Sequence, residues 1–385
     1  MNDFEFRTVP SLISQTGAAT RLGKIIRQEF PAISHVLLVT DAGFLRTGLV
    51  QPVIDSLETE QLKVSIFSDV IADPPEAIVL QAVANARDLQ VELVVGLGGG
   101  SSMDVAKLIA ILAGSDQSLS TMYGIGNVKG KRLPLIQIPT TAGTGSEVTP
   151  ISIVTTGATT KMGVVAPQLY ADIAILDAQL TTGLPAKVTA ATGIDAMVHA
   201  IEAYTTKHKK NPLSDMLAVQ ALKLLWNNID EACTNGGNLA ARQAMLLGAM
   251  LAGQSFANAP CAAVHALAYP VGGIFHVPHG LSNSLVLPHV LRFNASHAAE
   301  LYAELAAIIA PEATGTAEQR CHAMIKAMED LAVRVGIETR LSQVGITEQD
   351  LDQLASDAML QTRLLGNNPR EVTREDARAI YAAAL

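Results

Sequence analysis

The first part of the chain alternates short apolar runs with amphipathic stretches. Continuous apolar runs predict strands buried on both faces of a parallel sheet, at His35–Thr40, Lys63–Phe67, Leu93–Gly96, Leu135–Ile138 and Ile173–Leu176. The stretches between them predict helices near Ala18–Phe30, Leu45–Glu60, Pro75–Leu89 and Met103–Ala113. This βαβ order predicts a doubly wound α/β sheet whose ligands bind beyond the carboxyl ends of the strands. Two further runs around a Gly- and Thr-rich turn predict a hairpin, at Ile151–Thr155 and Met162–Ala166.

The pattern changes after Pro185. Strand-like runs give way to long helical stretches rich in Ala, Leu and Met, such as Leu213–Asn227 and Leu239–Phe256. The change lies near Thr182–Lys187. We therefore predict an α/β domain over residues 1–185 and an all-helical domain over residues 186–385.

The stretch Gly193–Tyr204, GIDAMVHAIEAY, predicts a helix that begins at Gly193. Asp195 and His199 are four residues apart and share one helix face, with Cβ atoms about 5–6 Å apart. In isolation, an Asp that holds a core His is the more common explanation of such a pair. His265 and His279 change the interpretation, because one Asp and three His would make an N/O site for a borderline divalent metal.

A glycine-rich loop, Gly96–Ser102, follows one predicted strand and precedes a helix. Glycines let the backbone approach a phosphate, and a helix N-terminus offers free N–H groups to an anion. No Gly-Lys-Ser/Thr follows, so the loop is not a P-loop and phosphoryl transfer is disfavoured. A tight strand–helix turn is the alternative interpretation.

Two further features favour a dinucleotide. Asp41 follows the strand at 35–40, where a carboxylate bonds a ribose 2′-OH and repels a 2′-phosphate, which favours NAD over NADP. A simple cap of the next turn is the alternative for Asp41. The loop Pro139–Glu147 is rich in hydroxyls and glycine, which suit phosphate or ribose oxygens. A plain polar turn is the alternative, although the loop is unusually rich in these residues for one.

The composition narrows the class of partner. The chain has 385 residues, 49% hydrophobic and 16% charged, with a formal net charge of −9, which disfavours nucleic acid and anionic membranes as partners. No apolar run reaches the roughly 20 residues of a membrane helix. The first ten residues lack a signal-peptide pattern, and three scattered cysteines indicate reduced thiols. We expect a cytoplasmic protein.

Several motifs occur together in a fixed order, and in this they resemble the iron-containing (group III) alcohol dehydrogenase family. The matching segments are GGGSSMDVAK (98–107), IPTTAGTGSEVT (138–149), LDAQLTTGLP (176–185), GIDAMVHAIEAY (193–204), HALAYPVGG (265–273), PHGLSNSLVLPHV (278–290) and NNPR (367–370). They span nearly the whole chain. Such an ordered set is far more specific than any single motif.

The resemblance implies a Rossmann-like N-terminal domain that binds the dinucleotide and an all-α C-terminal domain, as in dehydroquinate synthase, with the active site in the cleft between them. It implies the metal ligands Asp195, His199, His265 and His279. Fe²⁺ is the family's usual metal, and Zn²⁺ is compatible with the same ligands. It also implies NAD contacts at Asp41, Gly98, Gly99, Gly100, Ser101, Ser102, Thr140, Thr141, Thr144, Ser146, Lys161 and Leu180. The alternative for Lys161 is an exposed hairpin lysine, and the alternative for Leu180 is a buried core leucine.

One position departs from the family pattern. Many members carry a second His four residues after the third ligand, where it assists proton movement, and this chain has Tyr269 there. A tyrosine relays a proton through its hydroxyl but is a poor base at neutral pH. His276, three residues before His279, is the candidate to take over, and an exposed helix-end His is the alternative.

The resemblance implies an NAD-linked, metal-dependent alcohol dehydrogenase or aldehyde reductase. A pocket lined by Leu, Met and Phe256, from helices at 239–258 and 350–365, suits small or medium primary alcohols or diols. A metal-free maleylacetate-reductase-like enzyme and a dehydroquinate-synthase-like lyase are the rivals within the superfamily. A non-catalytic NAD-binding protein is the rival from another class. We also expect a homodimer or a higher homo-oligomer.

Overall fold

A computed structural model describes residues 3–157 and 160–385 and divides them into two compact units. One unit is Thr8–Gly183, and the other comprises Leu184–Leu385 with the residues up to Arg7. The amide of Asn258 attaches this N-terminal segment to the helical unit. Its Oδ1 accepts from the Arg7 N–H at 2.8 Å, and its Nδ2 donates to the Arg7 carbonyl at 2.9 Å.

The first unit is built on a six-stranded, wholly parallel sheet, as the apolar runs predict. Its strands are β1 (Ser11–Ser14), β2 (His35–Asp41), β3 (Lys63–Val70), β4 (Leu93–Gly98), β6 (Leu135–Pro139) and β9 (Ile173–Leu176). They lie in the order β1-β9-β6-β4-β2-β3. The edge strand β1 is the one that the hydrophobic pattern missed, because its four residues alternate between half-buried and exposed positions.

The helices of this unit are α1 (Leu22–Glu29), α2 (Ala42–Arg46), α3 (Gln51–Thr59), α4 (Glu76–Asp88) and α5 (Gly100–Leu112). The predicted helix 45–60 is in fact two helices, α2 and α3, separated by a turn in which Gly48 has a φ of +77°. Residues 19–21 form a 3₁₀ turn ahead of α1. The helix after the glycine loop begins at Gly100, so the last glycine is helical.

A small second sheet completes this unit. It consists of β5 (Gly124–Ile125), β7 (Ile151–Thr156) and β8 (Thr160–Val165), in the order β5-β8-β7. Strands β7 and β8 are antiparallel, which confirms the predicted hairpin. Part of its turn, residues 158–159, lies outside the described residues.

The second unit consists of helices, and its described residues contain no strand. They are α6 (Ala186–Thr205), α7 (Pro212–Thr234), α8 (Leu239–Asn258), α9 (Ala263–Phe275), α10 (His279–Ile309), α11 (Ala317–Arg334), α12 (Leu351–Ala358), α13 (Thr362–Leu365) and α14 (Arg374–Ala384). The stretch predicted as one helix over 350–365 is therefore two short helices. Within the described part of the chain, no helix is both long and apolar enough to cross a membrane.

The prediction that a helix begins at Gly193 is wrong, because α6 starts seven residues earlier at Ala186. Gly193 lies inside the helix for a packing reason. A Cβ there would be 2.7 Å from Met245 Cε and 3.0 Å from Ile229 Cδ1, so glycine lets α6 lie close to α7 and α8. The absence of a side chain at Gly193 allows the helices to pack closely and does not end a helix.

Candidate metal and cofactor sites

Four side chains of the helical unit converge on one point. Asp195 and His199 project from adjacent turns of α6, His265 from the first turn of α9, and His279 from the first residue of α10. Their ligand atoms all lie within 4.8 Å of one another. The first three residues are buried, whereas the side chain of His279 is 38% exposed. The cluster is therefore closed on three sides and open beside His279.

The donor atoms in this cluster are the ones a divalent cation needs. Nε2 of His265 lies 2.9 Å from Nε2 of His199 and 3.8 Å from Oδ1 of Asp195. Nε2 of His279 lies 3.6 Å from the same carboxylate oxygen. Three imidazole nitrogens and one carboxylate form a mixed N/O set that suits Fe²⁺ or Zn²⁺.

Two neighbours orient these donors. Glu202, one turn beyond His199, accepts from Nδ1 of His265 at 2.6 Å through Oε2 and from the Val264 N–H at 2.6 Å through Oε1. A proton on Nδ1 leaves the lone pair of His265 on Nε2, toward the cluster. Asn283, one turn beyond His279, donates from Nδ2 to Asp195 Oδ1 at 2.6 Å. Neither residue was predicted from the sequence, although each lies one helical turn after a predicted ligand.

The electrostatics of the cluster favour positive charge. Burial opposes ionisation of Asp195, but attraction to His199, His279 and His265 and the Asn283 hydrogen bond hold its pKa below the ordinary value. Burial lowers the pKa of His265, yet Cys261 and Glu202 raise it, and the balance lies well above the ordinary value. A field that favours a proton on His265 also favours a cation there, so these residues fit a bound metal.

The rings of Phe256 and Tyr269 lie beside the cluster, and the predicted His276 lies at the end of α9. The ring of Phe256 stacks on His199, with ring centroids 4.3 Å apart and planes at 20°. The ring of Tyr269 lies beside that of His279, with centroids 6.1 Å apart. His276 is exposed at the end of α9, where its backbone is left-handed with a φ of +55°.

The NNPR motif also reaches this region. Nδ2 of Asn367 donates to the carbonyl of Cys261 at 2.9 Å, immediately before the helix that carries His265. The amides of Asn368 and Asn294 pair with each other at 2.9 and 2.7 Å, which attaches the motif to α10. A late segment of the chain thus supports the two helices that supply His265 and His279.

In the α/β unit, several of the predicted cofactor residues lie at the carboxyl ends of neighbouring strands. Asp41 ends β2 and Gly98 ends β4, and a Cβ on Gly98 would lie 3.7 Å from Asp41 Oδ2. The Thr140 N–H donates to the Gly98 carbonyl at 2.9 Å. A Cβ on Gly100 would lie only 2.8 Å from Thr144 Cγ2. The two loops are therefore in contact, and this close approach is possible because the glycines have no side chains.

Several predicted contacts have partners within the protein. Asp41 caps α2, because its Oδ1 accepts from the Phe44 N–H at 2.8 Å, so the capping alternative holds for one of its oxygens. The Ser146 hydroxyl donates to Asp104 at 2.6 Å and accepts from Lys107 at 2.8 Å. Lys161 forms an ion pair with Asp73 at 2.5 Å. Leu180 is buried in the core cluster of the unit.

The remaining predicted contacts belong to the same two loops. Gly99 lies against the second loop, since a Cβ on it would be 3.7 Å from Thr141 Cγ2. Ser101 and Ser102 belong to the first turn of α5, where Ser101 is half-buried and Ser102 is buried. The first N–H groups of a helix lack acceptors within the helix, so the start of α5 suits an anion.

Two family models and several known proteins match this chain. The family model described as iron-containing alcohol dehydrogenase matches residues 10–178, and that of the Fe-containing alcohol dehydrogenase C-terminal region matches residues 189–385. Long-chain-alcohol dehydrogenase 1 of Geobacillus thermodenitrificans is 42% identical over 354 residues, which is 91% of this chain and 89% of that protein.

Solved structures agree with the sequence matches. A 1,3-propanediol oxidoreductase superposes with a TM-score of 0.96 at 33% identity, and the match covers 100% of both chains. Sulfoacetaldehyde reductase of Bifidobacterium kashiwanohense, solved in complex with NAD⁺, superposes with a TM-score of 0.87 at 29% identity, covering 100% of this chain and 99% of that one. By these matches the chain belongs to the iron-containing alcohol dehydrogenase family.

Proposed function

We propose that this chain is an NAD-linked, iron-dependent dehydrogenase that interconverts primary alcohols or diols and their aldehydes. The observation that carries the proposal is the convergence of Asp195, His199, His265 and His279, with one open side. A divalent cation held there would act as a Lewis acid toward the substrate oxygen, and NAD would carry the hydride. Family membership supports the same class of chemistry.

The protein residues have distinct tasks in this reaction. Glu202 and Asn283 hold His265 and Asp195 in the orientation that ligation requires. The exposed side of His279 leaves room for the substrate oxygen. Tyr269, beside His279, is the residue we assign to hold the hydroxyl proton of the substrate, and exposed His276 is the candidate to exchange that proton with water.

The α/β unit supports NAD as the cofactor. The glycine loop precedes a helix of 13 residues, whose N-terminus suits the pyrophosphate. One oxygen of Asp41 faces this loop, and its negative charge favours a free ribose hydroxyl over a phosphate. The sulfoacetaldehyde reductase with a similar fold was solved with NAD⁺.

Primary alcohols and terminal diols are the substrate class that we propose. Phe256 and His265 both stack on the His199 ring, so Phe256 closes the cluster on the side away from His279. Relatives named for a long-chain alcohol and for 1,3-propanediol are compatible with this class.

We also propose that the chain forms homodimers. Strand β1 pairs with β9 and lies at an edge of the six-stranded sheet, and its Leu12 is 39% exposed. Sheet edges are natural surfaces for pairing with another chain. Light scattering of the purified protein measures the oligomeric state, and a monomer at micromolar concentration would contradict this.

The decisive experiment measures metal content and activity on the same anaerobically purified protein. We expect about one iron per chain, together with NADH formation from primary alcohols and diols. A chelator should remove both the metal and the activity, and added Fe²⁺ should restore both. Full turnover by a metal-free protein would refute the iron requirement and favour the metal-free reductases of the superfamily.

A further inference from the structure

The other side of His265 carries a second set of potential ligands. Glu202, Cys261 and His265 bring a carboxylate oxygen, a thiol sulfur and an imidazole nitrogen within 4.8 Å of one another. All three residues are buried. This group shares His265 with the cluster of Asp195, His199 and His279, and its Glu202 binds Nδ1 of that ring.

The three donors are held in place by contacts on both sides. Cys261 stands directly before α9, and its carbonyl accepts from Asn367 at 2.9 Å. Glu202 accepts from the Val264 N–H at 2.6 Å, in the first turn of that helix. These contacts fix the Cys261 backbone and the Glu202 carboxylate close to His265.

The chemistry of this set differs from that of the four-residue cluster. A thiolate is a soft ligand that selects thiophilic cations such as Zn²⁺ and Cd²⁺, whereas the Asp/His₃ cluster has only nitrogen and oxygen donors. One thiolate and one carboxylate balance the charge of a divalent cation, so the bound group is neutral. The thiol proton leaves to solvent when the sulfur binds.

We propose that Cys261, Glu202 and Nδ1 of His265 form a thiophilic cation site whose occupation removes His265 from the Asp/His₃ cluster. A neutral imidazole has one ring lone pair. When Nδ1 binds a cation, the ring proton resides on Nε2, and that nitrogen no longer serves as a ligand. Zinc or cadmium bound at this site thus inhibits the enzyme by displacing iron, a consequence that rests on the proposed function.

The test titrates the metal-free chain with Cd²⁺ and follows the ultraviolet thiolate-to-cadmium absorption. The chain supplies matched controls, because its three cysteines include Cys233 and Cys321, which lie in no such ligand group among the described residues. We expect Cys261→Ser to lose the absorption and Cys233→Ser and Cys321→Ser to keep it. Retention in Cys261→Ser, or absence in the wild type, would overturn the site.

Folding of each variant is checked by circular dichroism, and Cys261→Ala serves as a second variant if Cys261→Ser unfolds. Glu202→Gln should weaken the cadmium signal, and Asp195→Asn should leave it intact because Asp195 belongs only to the other cluster. A chain that binds cadmium through Cys261 but never binds iron would refute the proposed function and leave this site standing.

The exclusion of iron has its own measurement. Iron-loaded wild type is dialysed against excess Zn²⁺, and released iron and remaining activity are followed together. Because Zn²⁺ also suits the Asp/His₃ cluster, we expect the wild type to lose iron and activity at a lower Zn²⁺ concentration than Cys261→Ser, and an equal Zn²⁺ dependence would overturn the exclusion. Iron that stays bound while the Cys261 site is filled would overturn the exclusion.

Discussion

Oε2 of Glu202 lies 2.6 Å from Nδ1 of His265, and both residues are buried. This hydrogen bond places the ring proton on Nδ1 and presents the Nε2 lone pair to His199 and Asp195. Carboxylate–histidine pairs of this kind orient a metal ligand and raise its basicity.

Replacement of Glu202 by Gln should therefore weaken metal binding. The amide keeps the shape but removes the charge, and we expect a roughly 10- to 100-fold loss of iron affinity, measured by competition with a chelator. Glu300→Gln, an exposed position on α10, is the control and should not change the affinity. Unchanged affinity in Glu202→Gln would show that His265 is oriented without it.

Tyr269→Phe should slow alcohol oxidation by about 100-fold at neutral pH, because the hydroxyl that we assign to carry the proton is removed. The defect should shrink at higher pH, where hydroxide takes the proton. Metal content should be unchanged, since Tyr269 is not in the ligand cluster. The measurement is the pH profile of kcat, with His276→Ala alongside. Loss of activity in His276→Ala alone would assign the proton transfer to His276 instead.

Asp41→Ser should let the enzyme use NADP. The substitution removes the negative charge beside Gly98. The serine hydroxyl can still cap α2 by accepting from the Phe44 N–H, as the Asp41 carboxylate does. The ratio of kcat/KM for NADP to that for NAD should rise by at least about tenfold, as expected for loss of a charge repulsion of roughly 1.4 kcal/mol. Efficient use of NADP by the wild type would refute this role for Asp41.

Gly280→Ala should destabilise the helical unit. A Cβ at position 280 would lie 2.4 Å from the carbonyl oxygen of Ala191 in α6, and backbone atoms yield little. We expect a loss of about 1–3 kcal/mol in the free energy of unfolding, measured with urea, and weaker metal binding because His279 is adjacent.

Gly114→Ala is the matched control for this substitution. A Cβ at position 114 meets no described atom within 4 Å, and the change should stay within about 0.5 kcal/mol. Equal losses in the two variants would contradict the packing argument.

Glu147 makes stability depend on pH. Burial raises the pKa of this carboxyl to about 7 from an ordinary 4.5, against the opposing effects of its own backbone N–H and of Lys107. Between these two pH values the folded state binds more protons than the unfolded state, so the free energy of unfolding falls as pH rises from about 4.5 through 7.

Glu147→Gln should remove this decrease in the free energy of unfolding, which amounts to roughly 3 kcal/mol at most. Urea unfolding at pH 5 and pH 8 measures it, and exposed Glu58→Gln is the control. We expect a smaller decrease between the two pH values in Glu147→Gln than in the wild type. A decrease equal to that of the wild type would show that another group causes the pH dependence.

Much of the fold could be predicted from local pattern. Strands such as Leu93–Gly98 are continuous apolar runs because both faces of the sheet are covered, and that requirement is visible in the sequence. The edge strand Ser11–Ser14 escaped prediction because an edge needs only partial burial. The start of α6 was predicted wrongly because local rules place glycine at helix ends. Gly193 instead lies inside the helix, where it allows close packing against neighbouring helices.

The sequence by itself determined the chemical inventory: one Asp and three His at motif spacing, a glycine loop after a strand, and an acidic residue at the end of another. Spacing along one helix is a local property, so Asp195 and His199 could be paired without coordinates. Only the tertiary structure decided that Glu202 bonds His265, and that Ser146 bonds Asp104. Those partners come from different elements, and contacts between elements depend on packing that no local periodicity records.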